Sequence, residues 1–393
     1  MNSSNKLNVL LLGLASLLTD LSSEIIYPIL PFFIASLGGA GIAIGLIGGL
    51  SDAVASLLKV FSGYFSDRLG RRKALIFSGY GASAVAKLLL PLSTVWEHVL
   101  VLRPLERVGK GIRDAPRDAL ISESVEKKKR GYWFGVHRAM DSTGAVLGSI
   151  LALVFFWFLG FDFRTIFLIA AVFAFIALAP LLFVKDVKKK PLKAKLSISL
   201  TKLPPRLKYF LMVAFVFALA DFSYMFYILK AQLAFPKESM IVLPLLLYVF
   251  YNVIYSVFSI PSGALADKIG KKKIIFTGYL LFALSAFGFI YATSFFMLVI
   301  LFALYGLSNA FAVGTQRAFV SDLSPSRIRG TALGTYHTIT GLAALPASLI
   351  AGFLFEFFTP ESAFVYALLM SVTALILLSF QKTTEKDSSW FKS

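Results

Sequence analysis

No cysteine occurs among the 393 residues, so disulfides, thiol chemistry and thiolate metal sites are excluded. Histidine is almost as scarce: His98, His137 and His337 are far apart, which leaves little from which to build a structural metal site. No Walker loop is present, which argues against ATP hydrolysis. Gly109-x-Gly111 is half of a nucleotide fingerprint inside an apolar run and carries no weight. Nothing in the chain implies a cofactor. Charge is sparse too, at 15% of residues against 58% hydrophobic. What fills the chain instead is apolar runs of 18 or more residues, each able to cross a hydrocarbon core of ~30 Å at ~1.5 Å per residue. The alternating polarity of a transmembrane β-barrel is absent. The composition therefore defines an all-α multi-pass membrane protein whose first partner is the lipid bilayer.

A net charge of +18 would suggest nucleic acid in a soluble protein, but its distribution argues against that partner. Lys127, Lys128, Lys129 and Arg130 share one short loop, and Lys185, Lys188, Lys189, Lys190, Lys193 and Lys195 share another. Connections on the opposite side hold little base beyond Arg164 and Lys237. This positive-inside asymmetry assigns the basic loops to the cytoplasm. The first apolar segment carries Asp20 and Glu24 and outruns a signal-peptide core, so it reads as a retained helix.

Twelve spans follow, at 8–37, 42–66, 74–93, 98–122, 131–158 and 164–184, then 207–235, 241–266, 274–293, 295–321, 330–356 and 362–381. An even number with cytoplasmic basic loops puts both termini inside the plasma membrane. The expected domains are a six-helix bundle over 1–184, a basic cytoplasmic linker over 185–205, a second six-helix bundle over 206–381 and a cytoplasmic tail over 382–393.

Two copies of one turn organise the chain. Gly63-Tyr64-Phe65-Ser66-Asp67-Arg68-Leu69-Gly70-Arg71-Arg72-Lys73 returns 200 residues later as Gly263-Ala264-Leu265-Ala266-Asp267-Lys268-Ile269-Gly270-Lys271-Lys272-Lys273. Further echoes keep the same order. Phe77-Ser78-Gly79-Tyr80 matches Phe276-Thr277-Gly278-Tyr279, Arg117 to Glu123 matches Arg317 to Asp322, and Asp20-Leu21-Ser22 matches Asp221-Phe222-Ser223. Parallel duplication about an axis normal to the membrane is a transporter architecture, here two pseudo-symmetric six-helix bundles. In the turn itself, Gly63 allows close packing and Gly70 a tight reversal, with Gly263 and Gly270 as counterparts.

The chain resembles the major facilitator superfamily over nearly all its length. The carrying motif is glycine-x-x-x-aspartate-basic-x-glycine-basic-basic between spans 2 and 3, present twice. Arg107-x-x-Lys110-Gly111 is similar to the Arg-x-x-Gln-Gly pattern of the proton-antiporter branch, with Lys110 where glutamine is usual. Gly144-x-x-x-Gly148 retains part of the span 5 motif, with Ser149 in place of proline. The resemblance implies that spans 1, 4, 7 and 10 line a central cavity. It also implies a conformational latch that includes Arg68: Asp67 meets span 11, and Arg71 pairs with the acid ending span 4, here Glu123. Asp267, Lys271 and Asp322 are the second-half equivalents.

Span 4 is the most charged stretch, with Arg103, Glu106, Arg107, Lys110, Arg113, Asp114, Arg117 and Asp118. Intramembrane charges cost at least ~2.5–3.5 kcal/mol each unless paired or hydrated, so their face must line a cavity or polar seam. Glu106–Lys110 and Lys110–Asp114 are expected i,i+4 pairs. Asp20 and Glu24 lie one turn apart on span 1, continued by Tyr27 and Pro31, and the resemblance sets them opposite Arg107 and Lys110. They suit either proton coupling, with Arg107 as modulating cation and Asp141 of span 5 as a further acid, or a permanent salt-bridge network. The second half is poor in charge and rich in tyrosine.

Substrate contacts are therefore expected from Tyr27, Arg103 and Lys110 in the first half. In the second half they fall on Asp221, Tyr224, Tyr227, Tyr251, Asn252, Tyr255 and Asn309. Together these features describe a monomeric secondary transporter, not an enzyme, exporting a small amphipathic compound in exchange for protons. An importer or exchanger of organic anions using the span 4 arginines, and a non-transporting receptor on the same fold, are the alternatives.

Overall fold

The computed structural model describes residues 3–69, 72–126, 130–186, 203–236, 239–325 and 328–381. The expected linker lies mostly outside these residues and the tail over 382–393 wholly outside them. Every regular element described is helical, as lipid requires when no water is present to satisfy backbone polar groups. The first half comprises α1 (Ser3–Ile26), α2 (Leu30–Ser36), α3 (Gly41–Leu69), α4 (Lys73–Leu89), α5 (Trp96–Ser124), α6 (Arg130–Leu153), α7 (Phe163–Ile176) and α8 (Leu178–Phe183). The second comprises α9 (Pro205–Ala220), α10 (Met225–Gln232), α11 (Val242–Ile269), α12 (Lys271–Ile290), α13 (Phe295–Asp322), α14 (Arg329–Phe357) and α15 (Pro360–Ser379).

Of the described helices, 11 are long and apolar enough to cross a membrane. The exception is α5, whose charged residues lower its hydropathy although it packs against α3 and α4 inside the bundle. It is the twelfth span. Spans 1 and 7, expected as unbroken helices, are each interrupted. Span 1 breaks between α1 and α2, where Pro28 disfavours helical geometry at Tyr27. Span 7 breaks in a different register of the repeat: α9 ends at Ala220, and α10 starts at Met225 beyond Asp221, Phe222, Ser223 and Tyr224, whereas the matching Asp20, Leu21 and Ser22 lie within α1.

The ends of the bundle differ. One carries the repeated basic turns between α3 and α4 and between α11 and α12, and is called the basic-loop end below. Gly270 has φ +100°, the reversal that glycine permits between α11 and α12. Small residues bring helices together elsewhere. Gly144 and Gly148 of α6 rest on the α1 backbone at Leu17 and Leu21. The halves meet along α3 and α14, where Gly41 faces Gly352, Gly45 faces Ser348 and Ser56 faces Gly341. The second half has an aromatic interior in which Phe217 stacks on Tyr279 at 3.7 Å, and Tyr227 on Tyr305 at 4.1 Å.

Space decides what each glycine tolerates. A Cβ on Gly148 would lie 2.8 Å from the Glu24 Cβ and 2.9 Å from the Leu21 Cα, whereas one on Gly263 would meet nothing within 4 Å. Gly148→Val is expected to cost ~1–3 kcal/mol through overpacking. Gly263→Ala is expected to be neutral or to gain up to ~1 kcal/mol of helix propensity. Thermal unfolding of the detergent-purified protein measures both, and equal losses would contradict the packing described.

Candidate functional site

A cavity of about 330 Å³ lies between the halves, at the lower end of the range of ligand pockets. Asp20, Ser23, Glu24 and Tyr27 reach it from span 1, Arg107 and Lys110 from α5, and Arg138, Asp141, Ser142 and Ala145 from α6. The second half supplies Tyr224, the α11 stripe Tyr248, Tyr251, Asn252, Tyr255 and Ser256, and Asn309 and Val313 of α13.

Away from the basic-loop end, the halves are tied across the cavity. The Glu24 carboxylate accepts hydrogen bonds from the Tyr248 hydroxyl at 2.9 Å and the Asn252 amide at 3.2 Å. Tyr224 donates to the Tyr27 carbonyl at 3.0 Å, and the two rings stack at 5.7 Å. The backbone N–H of Ile42 donates to Glu356 at 2.8 Å. Toward the basic-loop end, Arg138 donates to the Tyr255 hydroxyl at 2.7 Å. Tyr248, Asn252 and Tyr255 are successive residues on one face of α11, so this helix makes a tie on both sides of the cavity.

The charges of α5 are neutralised differently from the i,i+4 pattern expected. Glu106 pairs with Arg103 instead of Lys110. Asp114 pairs with Lys59 of α3 at 3.4 Å and with Arg117 at 3.8 Å. Arg117 also meets Asp118 and donates to Ser16 at 2.9 Å. Arg113, fully buried, donates to Ser83 and lies over the Tyr80 ring at 4.3 Å. These contacts bind α5 to α1, α3 and α4. Deeper still, the Lys87 ammonium has no carboxylate within ion-pair distance among the described residues and is held by Ser22 and Ser23 hydroxyls, both at 2.9 Å, behind the cavity face of α1.

Several expected site residues sit elsewhere. Arg103 is buried against Glu106 and over the Tyr27 ring at 4.2 Å, and does not line the cavity. Tyr227 is 1% exposed and packs among Phe222, Phe289, Tyr305 and Phe364, because the span 7 break turns it into the aromatic core. Asp221 caps the end of α9 outside the cavity lining. Arg107 lines the cavity but pairs with Asp52 at 3.3 Å, and Glu24 bonds to α11 rather than to Arg107. Asp20, Glu24, Tyr27, Lys110, Asp141, Tyr224, Tyr251, Asn252, Tyr255 and Asn309 do converge. Tyr248, Arg138, Ser142 and Ser256 join them. Their helical spacing on spans 5 and 8 was the signal that could have found them.

In the loop motif, Gly70, Arg71 and the Asp67 side chain lie outside what is described. Glu123 is held in two prongs by Arg72, one residue after Arg71, with Nε and Nη2 both at 2.8 Å. Arg68 is exposed. In the second copy Lys271 pairs with Asp322 and lies 3.9 Å from Asp267. A Cβ added at Gly63 would make only an ordinary contact with Ala115 at 3.4 Å, and one at Gly263 would meet nothing within 4 Å, so neither position needs glycine for close packing.

Two bundles of six spans around a central, charge-lined cavity define a multi-pass secondary transporter. The family comparison agrees. The Major Facilitator Superfamily model matches residues 12–248 and 210–393, and the chain belongs to that superfamily. It is 47% identical over 378 residues to an uncharacterised MFS-type transporter of Methanocaldococcus jannaschii, covering 95% of this chain and 94% of that one. It is 31% identical over 160 residues to the multidrug resistance protein MdtH of Cronobacter sakazakii, covering 38% of this chain and 37% of that one. The same fold occurs in the nucleoside transporter NupG (TM-score 0.80, 15% identity, 96% of this chain and 100% of that one). It occurs also in the human organic anion transporter MFSD10 (TM-score 0.67, 18% identity, 96% and 100%). The superfamily is one of transporters rather than enzymes, and its members take small-molecule substrates.

The Arg103–Glu106 pair gives a test of structural against ligand-binding charge. Arg103→Met strands a Glu106 carboxylate that is 3% exposed, and is expected to cost ~3–5 kcal/mol. Arg103→Met with Glu106→Leu removes both charges and is expected to recover most of that loss. Detergent unfolding midpoints of the single and double variants decide it.

Proposed function

We propose that the protein exports a small amphipathic organic compound in exchange for protons by alternating access, its two halves rocking about the central cavity. The observation that carries this reading is the Glu24 tie. A charged Glu24 accepts from both Tyr248 and Asn252 of the other half. Protonation removes negative charge from that acceptor and weakens the tie, so proton occupancy and the separation of the halves are linked. Asp20 faces the cavity one turn away, with Asp141, Lys110, Arg113 and Arg117 as the charged groups acting on it. Asp20, Glu24 and Asp141 are the proposed proton-carrying groups, modulated by Arg107.

In this reading the basic-loop end and both termini are cytoplasmic, the membrane is the plasma membrane and the protein works as a monomer. Residues 1–184 and 206–381 are the moving bundles, joined through 185–205. The turns at 63–73 and 263–273 act as latches, engaging the acids Glu123 and Asp322. Similarity to MdtH over part of the chain supports the export branch. The organic-anion reading draws on Arg107 and Lys110 in the cavity and on the fold shared with MFSD10. It is the weaker one, because Arg103 is committed to Glu106 and Arg107 to Asp52.

Proteoliposomes with an imposed pH gradient, read for proton movement and compound flux together, test the proposal. Asp20→Asn and Glu24→Gln are each expected to lower gradient-driven transport at least ~10-fold, the scale of a lost proton-transfer group. Wild-type rates in both would remove proton coupling. Flux that survives gradient collapse but needs a counter-anion would favour the anion exchanger, and tight binding without any flux a receptor. For the latch, Asp67→Asn combined with Asp267→Asn is expected to shift the balance of inward- and outward-open states, read by spin-label distances across the halves. An unchanged distribution with unchanged rate would discard it.

A further inference from the structure

Most charged groups lining the cavity already have partners. Glu24 is held by Tyr248 and Asn252, Arg107 pairs with Asp52, Arg138 donates to Tyr255, and Asp141 lies 3.5 Å from His137. Asp20 and Lys110 are different. Both face the cavity, and neither makes an ion pair or hydrogen bond among the described residues. They sit on neighbouring helices, near enough to act on each other through space but not in contact.

The opposite wall is aromatic. Tyr251 and Tyr255 stand with ring centroids 6.3 Å apart and planes 7° from parallel. Asn309 also lines the cavity, its amide N–H donating to the Tyr305 carbonyl at 3.1 Å. Unpaired charge in a low-dielectric site is costly, and a ligand gains most by compensating it. A simple cation would answer Asp20 and leave Lys110 bare, and a simple anion would do the reverse. A molecule carrying both charges answers both, while its ring lies along the tyrosine face.

Resting on the reading of this cavity as the substrate site, we infer that the compound it takes is a compact aromatic zwitterion. Its ammonium lies toward Asp20, its anionic group toward Lys110, and its ring on Tyr251 and Tyr255. Because Asp20 is also a proposed proton-carrying group, the ligand ammonium and a proton compete for one carboxylate.

Equilibrium binding to the full-length detergent-purified protein tests this with two charge-matched trios. One is tryptophan, tryptamine and indole-3-propionate; the other is 4-(aminomethyl)benzoate, benzylamine and benzoate. The zwitterion of at least one trio is expected to bind ~10-fold or more tighter than both of its singly charged analogues, as for loss of one buried charged contact. Lys110→Met is expected to move the preference to the amine, Asp20→Asn to move it to the acid, and Lys110→Arg to keep the zwitterion first. Binding of a singly charged analogue as tight as its zwitterion in both trios overturns the inference. So does absence of binding by both zwitterions, or a ranking left unchanged by Lys110→Met in protein that retains its unfolding midpoint. No gradient is applied, so failure of proton coupling leaves the ranking standing. Gradient-driven flux without charge preference would remove only the zwitterion.

Discussion

A charge placed in the middle of a bilayer must be answered from within the protein, at a cost of at least ~2.5–3.5 kcal/mol if it is not. α5 imposes that constraint on the whole first half. Its buried arginines and acids cannot face lipid, so α3 supplies Lys59 and Asp52, α4 supplies Ser83 and the Tyr80 ring, and span 1 supplies Ser16 and the Tyr27 ring. The helices that answer α5 are thereby fixed around it. Only after those demands are met do charges remain for the cavity. Asp20 and Lys110 are that remainder.

The second half solves a different problem with different residues. It has little charge to neutralise, and its interior is built from stacked and edge-on rings around Phe217, Tyr227, Phe289 and Phe364. Rings of this kind pack without polar debt, and the tyrosines among them present hydroxyls where the aromatic core meets the cavity. The polar ties across the cavity follow from this division. Charged groups of the first half, Glu24 and Arg138, meet neutral donors and acceptors of the second, Tyr248, Asn252 and Tyr255.

Much of this was legible in the sequence. The twice-repeated turn, the length of the apolar runs and the offset echoes are one-dimensional signals, and they carry the fold without reference to any contact. Depth along a helix is legible in the same way, which is why Asp20, Glu24, Lys110 and the α11 tyrosines could be placed at one level. Which partner a charge chooses is not. Glu106 has Lys110 one turn on and Arg103 one turn back, and spacing alone cannot rank them; packing against Tyr27 decides for Arg103. The span 7 break was also hidden, because no proline marks it. It turns Tyr227 and Asp221 out of the face that an unbroken helix would have given them.

Two of the broken spans, 1 and 7, face each other across the seam between the halves. Span 1 loses its helix after Ile26 and span 7 after Ala220, and the rings that meet across the seam, Tyr27 and Tyr224, lie within those breaks. Unwound segments absorb changes in backbone angle at lower cost than a continuous hydrogen-bonded helix, so bending concentrates there. α11 is the complement: continuous from Val242 to Ile269, with its tie to Glu24 at Tyr248 and its tie to Arg138 at Tyr255. α11 thus carries a polar tie on each side of the cavity. The unequal chemistry of the two halves gives each tie across the cavity one charged partner and one neutral partner.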